Sequence, residues 1–396
     1  MALDREMVVG VVGAGAMGSG IAQVAASAGH RVVLADANAG ATAKALGNIE
    51  KGMEREIGKG RLTREAANVL LARIDARAEP IADDLSRFAS CGLVIEAIVE
   101  DLSAKQALFK KLESSVAPDA VLATNTSSLS VASVASACTH SERVIGLHFF
   151  NPAPVLPLVE VVPWLGVDQS LMPSAHALVK QWGKTPVFAS DTPGFIVNRI
   201  ARPFYGESLR ILEEGIADAP TIDWAMKELG GFRMGPFELM DFIGNDVNYA
   251  VTRSVFESFF YDPRYKPSLT QRRLVEAGFL GRKSGRGYYD YRDGATMPAP
   301  TKDSAVARQV FERVLAMLIN EATDAVLMRV ASPTDIDLAM TKGVNYPKGL
   351  LAWAEEIGVE KVLGWLEALQ DEYGEDRYRP SPLLKRIARS RGGFFA

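Results

Sequence analysis

Apolar runs of four to seven residues alternate with helix-period stretches through the first half of the chain, and helix-period stretches alone fill the second. Met7–Val12 (MVVGVV), His30–Ala35 (HRVVLA), Gly92–Ile98 (GLVIEAI) and Ala120–Ala123 are nearly uninterrupted in their hydrophobicity. That is the pattern of parallel strands covered on both faces. Ser19–Ala28 and Asp101–Ser115 between them carry helical periodicity, and two more β-like runs, Val144–Leu147 and Leu158–Val162, flank the turn PAPVLP. Strand and helix in alternation predict an α/β domain of Rossmann type over residues 1–190. At Ser190-Asp191-Thr192-Pro193-Gly194 the pattern changes. Thr192 followed by Pro193 is a helix-start signal, and from Phe195–Glu214 onward the chain reads as an all-α region.

That helical region repeats itself. Thr221-Ile222-Asp223-Trp224-Ala225-Met226 is echoed 114 positions later by Asp335-Ile336-Asp337-Leu338-Ala339-Met340. Tyr265-Lys266-Pro267-Ser268 returns as Tyr378-Arg379-Pro380-Ser381, and the Glu207-Ser208 and Glu321-Ala322 stretches precede the matching helices. Two echoes at nearly one offset predict a duplicated helical domain. The copies occupy 191–293 and 294–396, joined by the Pro-rich linker DGATMPAPTK at 293–302.

The turn after the first strand is Gly13-Ala14-Gly15-Ala16-Met17-Gly18, a G-x-G-x-x-G between strand and helix. Gly13 permits the tight turn, Gly15 lets backbone approach a pyrophosphate, and Gly18 lets helix and strand pack closely; the amino end of the helix then faces the phosphates. Asp36 closes the second strand at the distance where an acidic side chain takes a ribose 2′-hydroxyl, and an acid there repels a 2′-phosphate, so NAD is expected rather than NADP. The ends of the next strands carry Val99-Glu100 and Thr124-Asn125-Thr126-Ser127, expected to border the nicotinamide side of the crevice.

The stretch TNTSSLS…GLHFFNPAP…LVEVV sets Ser127, His148 and Glu160 in one segment after that dinucleotide pattern. A strand–turn–strand path brings the Glu160 carboxylate to the His148 imidazole, where it would fix the tautomer and stabilise the imidazolium. By itself such a pair serves structure more often than catalysis; its neighbours point to oxidation of an alcohol.

Charge and composition narrow the partners. The chain has 396 residues, 48% of them hydrophobic, a formal charge of −4 and a mean hydropathy near zero, so no general basic field exists to draw nucleic acid or an anionic membrane. Cys91 and Cys138 have neither metal-ligand spacing nor a disulfide framework, and no long apolar span or secretory leader is seen, which makes the cytoplasm the expected location. No metal is required: hydride transfer is cofactor chemistry. His30, His140 and His176 have no partner pattern and are expected at the surface or at helix ends.

Taken together, VGVVGAGAMGSGIAQVAASAGHRVVLAD, EAIVED, TNTSSLS, GLHFFNPAP, LVEVV and DTPGFIVNR closely resemble the L-3-hydroxyacyl-CoA dehydrogenase family, in the same order, over roughly Val8–Tyr291. The resemblance implies an active site of Ser127, His148, Glu160 and Asn198. It also implies NAD contacts at Gly13, Gly15, Ala16, Met17, Gly18, Asp36, Glu100, Lys105, Asn125 and Asn151, with substrate in a cleft between domains. Without it, Ser127 reads as a loop cap and Asn198 as a helix-surface amide. The substrate implied is an acyl-CoA of fatty-acid metabolism and β-oxidation, short-chain such as 3-hydroxybutyryl-CoA, with 3-hydroxyadipyl-CoA as an alternative. A sugar acid, as in gulonate-type relatives, and a non-catalytic NAD-binding protein are the further alternatives. Coenzyme A carries phosphates, and Lys51, Lys59 and Arg61, with Arg55 and Arg64 nearby, are candidates for its path. Family members with one helical unit pair it with another subunit's, so the second copy is expected to pack on the first and imitate that contact, in a monomer or homodimer. It has no TPGFIVNR counterpart and reads as structural.

Overall fold

The computed structural model describes residues 3–4, 6–77, 81 and 84–395. They form two compact units, Met1–Thr192 and Pro193–Ala396. Among the described residues no helix is long and apolar enough to cross a membrane.

The first unit is built on β1 (Val8–Val12), β2 (Val32–Ala35), β3 (Ile74–Asp75), β4 (Cys91–Glu96), β5 (Val121–Thr124), β6 (Val144–Phe149), β7 (Leu158–Val162) and β8 (Thr185–Phe188). They hydrogen-bond in the order β3-β2-β1-β4-β5-β6-β7-β8. All pairs are parallel except β6 with β7, which run antiparallel with His148 opposite Glu160. Successive residues of β1 feed opposite faces: Val9 and Val11 enter one core cluster, Val8 and Val12 the other. Two covered faces are why these strands read as unbroken apolar runs. Strand order reverses between β1 and β4, the place where open α/β sheets leave a crevice at the carboxyl ends. The helices are α1 (Ala16–Ser27), α2 (Ala41–Gly58), α3 (Arg64–Ala72), α4 (Leu102–Ser115), α5 (Val131–Ala135) and α6 (Leu171–Gln181).

His30 corrects an expectation. It is 2% exposed, its Nδ1 hydrogen-bonds the Met7 carbonyl, and its Nε2 accepts the Trp182 indole N–H at 2.9 Å. Trp182 lies 152 residues away, so no local pattern could announce it. His176 is half-buried and stacks on Phe188, while His140 is exposed as expected.

The second unit contains α7 (Val197–Ile200), α8 (Arg202–Glu213), α9 (Ala219–Gly230), α10 (Pro236–Ile243), α11 (Asn245–Ser258), α12 (Leu269–Glu276), α13 (Ser304–Leu327), α14 (Pro333–Gly343), α15 (Leu350–Ile357), α16 (Val359–Tyr373) and α17 (Pro382–Ser390). The helix expected to begin at Thr192-Pro193 starts only at Val197. Gly194 and Phe195 both have positive φ, +73° and +46°, which holds the chain out of the right-handed helix for a further turn. The linker at 293–302 forms no helix or strand.

Equivalent bonds recur in the two halves of this unit. Asp223 accepts the amides of Phe237 and Glu238, and Asp337 accepts those of Leu351 and Ala352. A Cβ on Gly235 would collide with Asp223, and one on Gly349 with Asp337. Gly244 and Gly358 share φ of +105° and +100°. The halves also hold each other reciprocally. Arg199 and Tyr265 of the first donate to Glu321 of the second, while Arg313 and Tyr378 of the second donate to Glu207 of the first. These carboxylates are 2% and 0% exposed. Both halves lie in one unit because α13, almost wholly buried from Arg313 to Ala325, packs on α8 and α9.

Candidate active site

The glycine turn fits the geometry that a dinucleotide needs. Gly13 has φ of +103°, and a Cβ there would sit 2.5 Å from the Ala97 carbonyl oxygen. A Cβ on Gly18 would lie 1.7 Å from the Gly13 oxygen, so only glycine lets α1 close on β1. Gly15 is different: nothing stands within 4 Å of its Cβ direction. It is also the residue that precedes α1, with no side chain capping the helix amides. Ala16 and Met17 form the first turn of α1, so the open amides and the open face coincide, and this is the cradle a pyrophosphate would fill. Asp36 stands at the end of β2 with Oδ2 accepting the Ala14 amide at 2.7 Å and Oδ1 accepting from Asn38. Its carboxylate therefore braces the glycine loop.

A chain of charges runs along the ends of β4 and β5. Lys105 on α4 is 1% exposed, with its ammonium 2.6 Å from Glu96 and 3.2 Å from Glu100. Glu96, wholly buried, also accepts from the Thr124 hydroxyl and the Ile98 amide. Glu100 in turn accepts the Thr126 hydroxyl, the amides of Ser127 and Ser128, and the Ser128 hydroxyl, with the Ser127 hydroxyl at 3.4 Å. Burial alone would raise the Glu100 pKa, but Lys105 and these donors overcome it and hold the carboxyl down at about 2. Glu100, ionised at neutral pH, thus accepts from residues 126–128 of the loop that carries Ser127. Asn125 joins this loop to the next strand: its amide donates to the Glu96 carbonyl and its side-chain oxygen accepts the Phe149 amide at 2.8 Å.

His148 occupies β6 one residue before its end, 5% exposed, and its Nδ1 lies 2.6 Å from Oε2 of the fully buried Glu160. The antiparallel register puts the two side chains on the same face of neighbouring strands. The Phe150 ring packs against the imidazole with centroids 4.5 Å apart. A carboxylate bonded to Nδ1 makes that nitrogen the protonated one in neutral imidazole, leaving proton exchange to Nε2. Asn151 follows in the exposed bend after β6.

Asn198 lies in the other unit, on α7. Lys51, Lys59 and Arg61 are exposed, and Lys59 and Arg61 share the carboxylate of Glu56, which offsets part of the positive field the sequence suggested. Two residues escaped the sequence reading. Glu96 stood inside an apolar strand, where a lone charge was the available signal. Asp191 caps α5, accepting the amides of Val131 and Ala132 and the Ser130 hydroxyl, and so anchors the helix that follows the Ser127 loop.

Comparison with known proteins identifies the family of both units. The model of the 3-hydroxyacyl-CoA dehydrogenase NAD-binding domain matches residues 8–192, and that of the 3-hydroxyacyl-CoA dehydrogenase C-terminal domain matches twice, at 194–291 and 310–392. A 3-hydroxyadipyl-CoA dehydrogenase of Escherichia coli is 39% identical over 98% of both chains. A 3-hydroxybutyryl-CoA dehydrogenase of Bradyrhizobium diazoefficiens is 40% identical over 74% of this chain and 98% of its own. Among solved structures, a 3-hydroxybutyryl-CoA dehydrogenase from Escherichia coli superposes with a TM-score of 0.91 at 38% identity, covering 97% of this chain and 98% of that one.

Proposed function

The chain belongs to the 3-hydroxyacyl-CoA dehydrogenase family, and from that premise we propose that it oxidises an L-3-hydroxyacyl-CoA to the 3-oxoacyl-CoA with His148 as base. The bond between His148 Nδ1 and Glu160 carries the reading. NAD, which the first domain binds, supplies the acceptor for the hydride that leaves C3. His148 takes the proton of the 3-hydroxyl through Nε2 as that hydride leaves, and Glu160 stabilises the imidazolium that results. In the reverse direction the imidazolium returns the proton to the oxygen.

Ser127 and Asn198 position the reacting oxygen. As neutral groups that can both donate and accept, they bond an alcohol and the ketone that replaces it without trapping either by a fixed charge. Glu100 and Lys105 act behind Ser127, and with Asn125, Asn151, Asp36 and the glycine turn they form the cofactor side. Lys51, Lys59 and Arg61 serve the coenzyme A phosphates. Short-chain 3-hydroxybutyryl and six-carbon 3-hydroxyadipyl esters are the substrates to compare, since the relatives named above bear both names.

The second helical copy takes the place of a partner subunit. The reciprocal ion pairs Arg199 with Glu321 and Arg313 with Glu207 support this, because an isologous contact gives such exchanged pairs.

The test is NADH oxidation at 340 nm with acetoacetyl-CoA and with free acetoacetate, in wild type and His148→Gln. Turnover of the thioester alone, lost in the variant, is the expected result. Turnover of the free acid, or an active variant, would reject the reading.

A further inference from the structure

The two helical halves repeat their structural pairs, so the positions where they differ mark what the repeat does not need for packing. Arg199, Glu207 and Tyr265 have Arg313, Glu321 and Tyr378 as counterparts. Among the positions that do not repeat are three near the first copy's Asn198. In place of Asn198, Arg202 and Tyr346, the matching positions hold Glu312, Ala316 and Phe232.

Arg202 is 6% exposed, yet among the described residues no carboxylate pairs with it. Its Nε donates to the Asn198 carbonyl at 2.8 Å, its Nη1 donates to the Thr252 hydroxyl at 3.0 Å, and the guanidinium lies over the Tyr205 ring. Burial depresses its pKa, with only the Tyr205 and Tyr346 phenols acting against that. Tyr346 is 5% exposed, and among the described residues its hydroxyl has no hydrogen-bond partner. A buried cation held by neutral acceptors, beside a buried hydroxyl with nothing to bond, is a site short of one anion.

We propose that Arg202 and Tyr346 receive a carboxylate at the far end of the substrate's acyl chain, so that the enzyme favours a short dicarboxylic acyl thioester. This rests on the reading that Asn198 binds the oxygen on C3. Arg202 begins α8 four residues after Asn198 of α7, with its Nε bonded to the Asn198 carbonyl at 2.8 Å. From C3 to the terminal carbon of a six-carbon diacid are three C–C bonds, reaching roughly 4 Å, and a hydrogen bond at each end adds about 2.8 Å. A carboxylate three bonds beyond C3 extends from Asn198 toward the Arg202 guanidinium, whereas the methyl end of a butyryl chain lies one bond beyond C3 and carries no charge. The second copy then contributes to specificity, through Tyr346, although it lacks an Asn198 of its own.

The experiment compares 3-oxoadipyl-CoA with 3-oxohexanoyl-CoA, equal in length and differing in the terminal charge, on wild type, Arg202→Met and Tyr346→Phe. Wild type should prefer the diacid. Arg202→Met should lower kcat/KM for it by about 10- to 150-fold, mostly through KM, and leave the neutral ester within about 3-fold. Tyr346→Phe, which keeps the ring and the packing, should lower the diacid alone by about 2- to 10-fold. Equal losses on both esters, or a wild type indifferent to the terminal charge, would overturn the proposal while leaving the dehydrogenase intact. Failure of wild type on both esters would remove the dehydrogenase reading and this inference with it.

Discussion

His148 and Glu160 face each other across the antiparallel pair β6–β7, imidazole Nδ1 to carboxylate Oε2 at 2.6 Å, with both side chains withdrawn from water. A carboxylate taken so far from solvent is stable only while a donor remains on it. Glu160→Gln keeps the shape but removes the charge that stabilises imidazolium, and it allows the wrong tautomer. We expect kcat to fall by roughly 100- to 10,000-fold with KM changed little. Steady-state rates with acetoacetyl-CoA check this, and a variant retaining a tenth of wild-type kcat would show that Glu160 is structural.

The glycine turn separates fold from binding at neighbouring positions. Gly15 has φ of −69° and open space where a Cβ would go, so Gly15→Ala should unfold at the wild-type temperature and yet bind NADH more weakly by tenfold or more, about 1.4 kcal/mol. Gly18→Ala drives a methyl group into the Gly13 carbonyl and should cost about 1–3 kcal/mol of stability. Calorimetry and NADH fluorescence titration resolve the two effects. Equal thermal losses in both variants would mean that the cradle is only packing.

Much of this site is legible in the sequence because its parts are local. The glycine spacing, Asp36 at a strand end, and the thirteen-residue span from His148 to Glu160 each follow from a strand, a turn and a strand. What could not be read there depends on long-range pairing. His30 looked like a surface residue until Trp182 supplied a donor, and the pairing of Lys105 with Glu96 at 2.6 Å had no local signature. Periodicity likewise placed a helix start at Thr192-Pro193, whereas positive φ at Gly194 and Phe195 delays it to Val197. The echo between the two helical stretches was visible as a spacing, but the reciprocal pairs Arg199–Glu321 and Arg313–Glu207 needed the fold.

Glu100 gives the site a pH dependence whose sign can be worked out. Its folded pKa is about 2, against an ordinary 4.5. The stabilisation its charge brings is therefore complete above about pH 4.5 and is lost as the pH falls from there toward 2. Glu100→Gln should be less stable than wild type at pH 7, and the difference should shrink on acidification below 4.5. Denaturant midpoints at pH 7, 5 and 3.5 measure it. A gap that stays constant down to pH 3.5 would show that the charge of Glu100 is not what holds residues 126–128.

The reciprocal pairs predict what happens when half the helical unit is removed. Glu207 is fully buried and receives Arg313 and Tyr378 from the second half, together with Arg210 from its own helix. Arg313→Met strips one cation from that carboxylate and should cost about 3–5 kcal/mol, as should Arg199→Met on the opposite side. A chain ending after Tyr291 loses both donors at once and uncovers Phe204, Tyr205 and Ile211, which are each 4% exposed or less when α13 is present. Such a surface is apolar around a buried acid, and it was covered by a near-copy of itself. Sedimentation should show the shortened chain aggregating or pairing with a second molecule, Arg199 of each then meeting Glu207 of the other as Arg199 meets Glu321 and Arg313 meets Glu207 here. A shortened chain that stays soluble and monomeric, with no newly exposed apolar surface by dye binding, would mean that the second half does not stand in for a partner subunit.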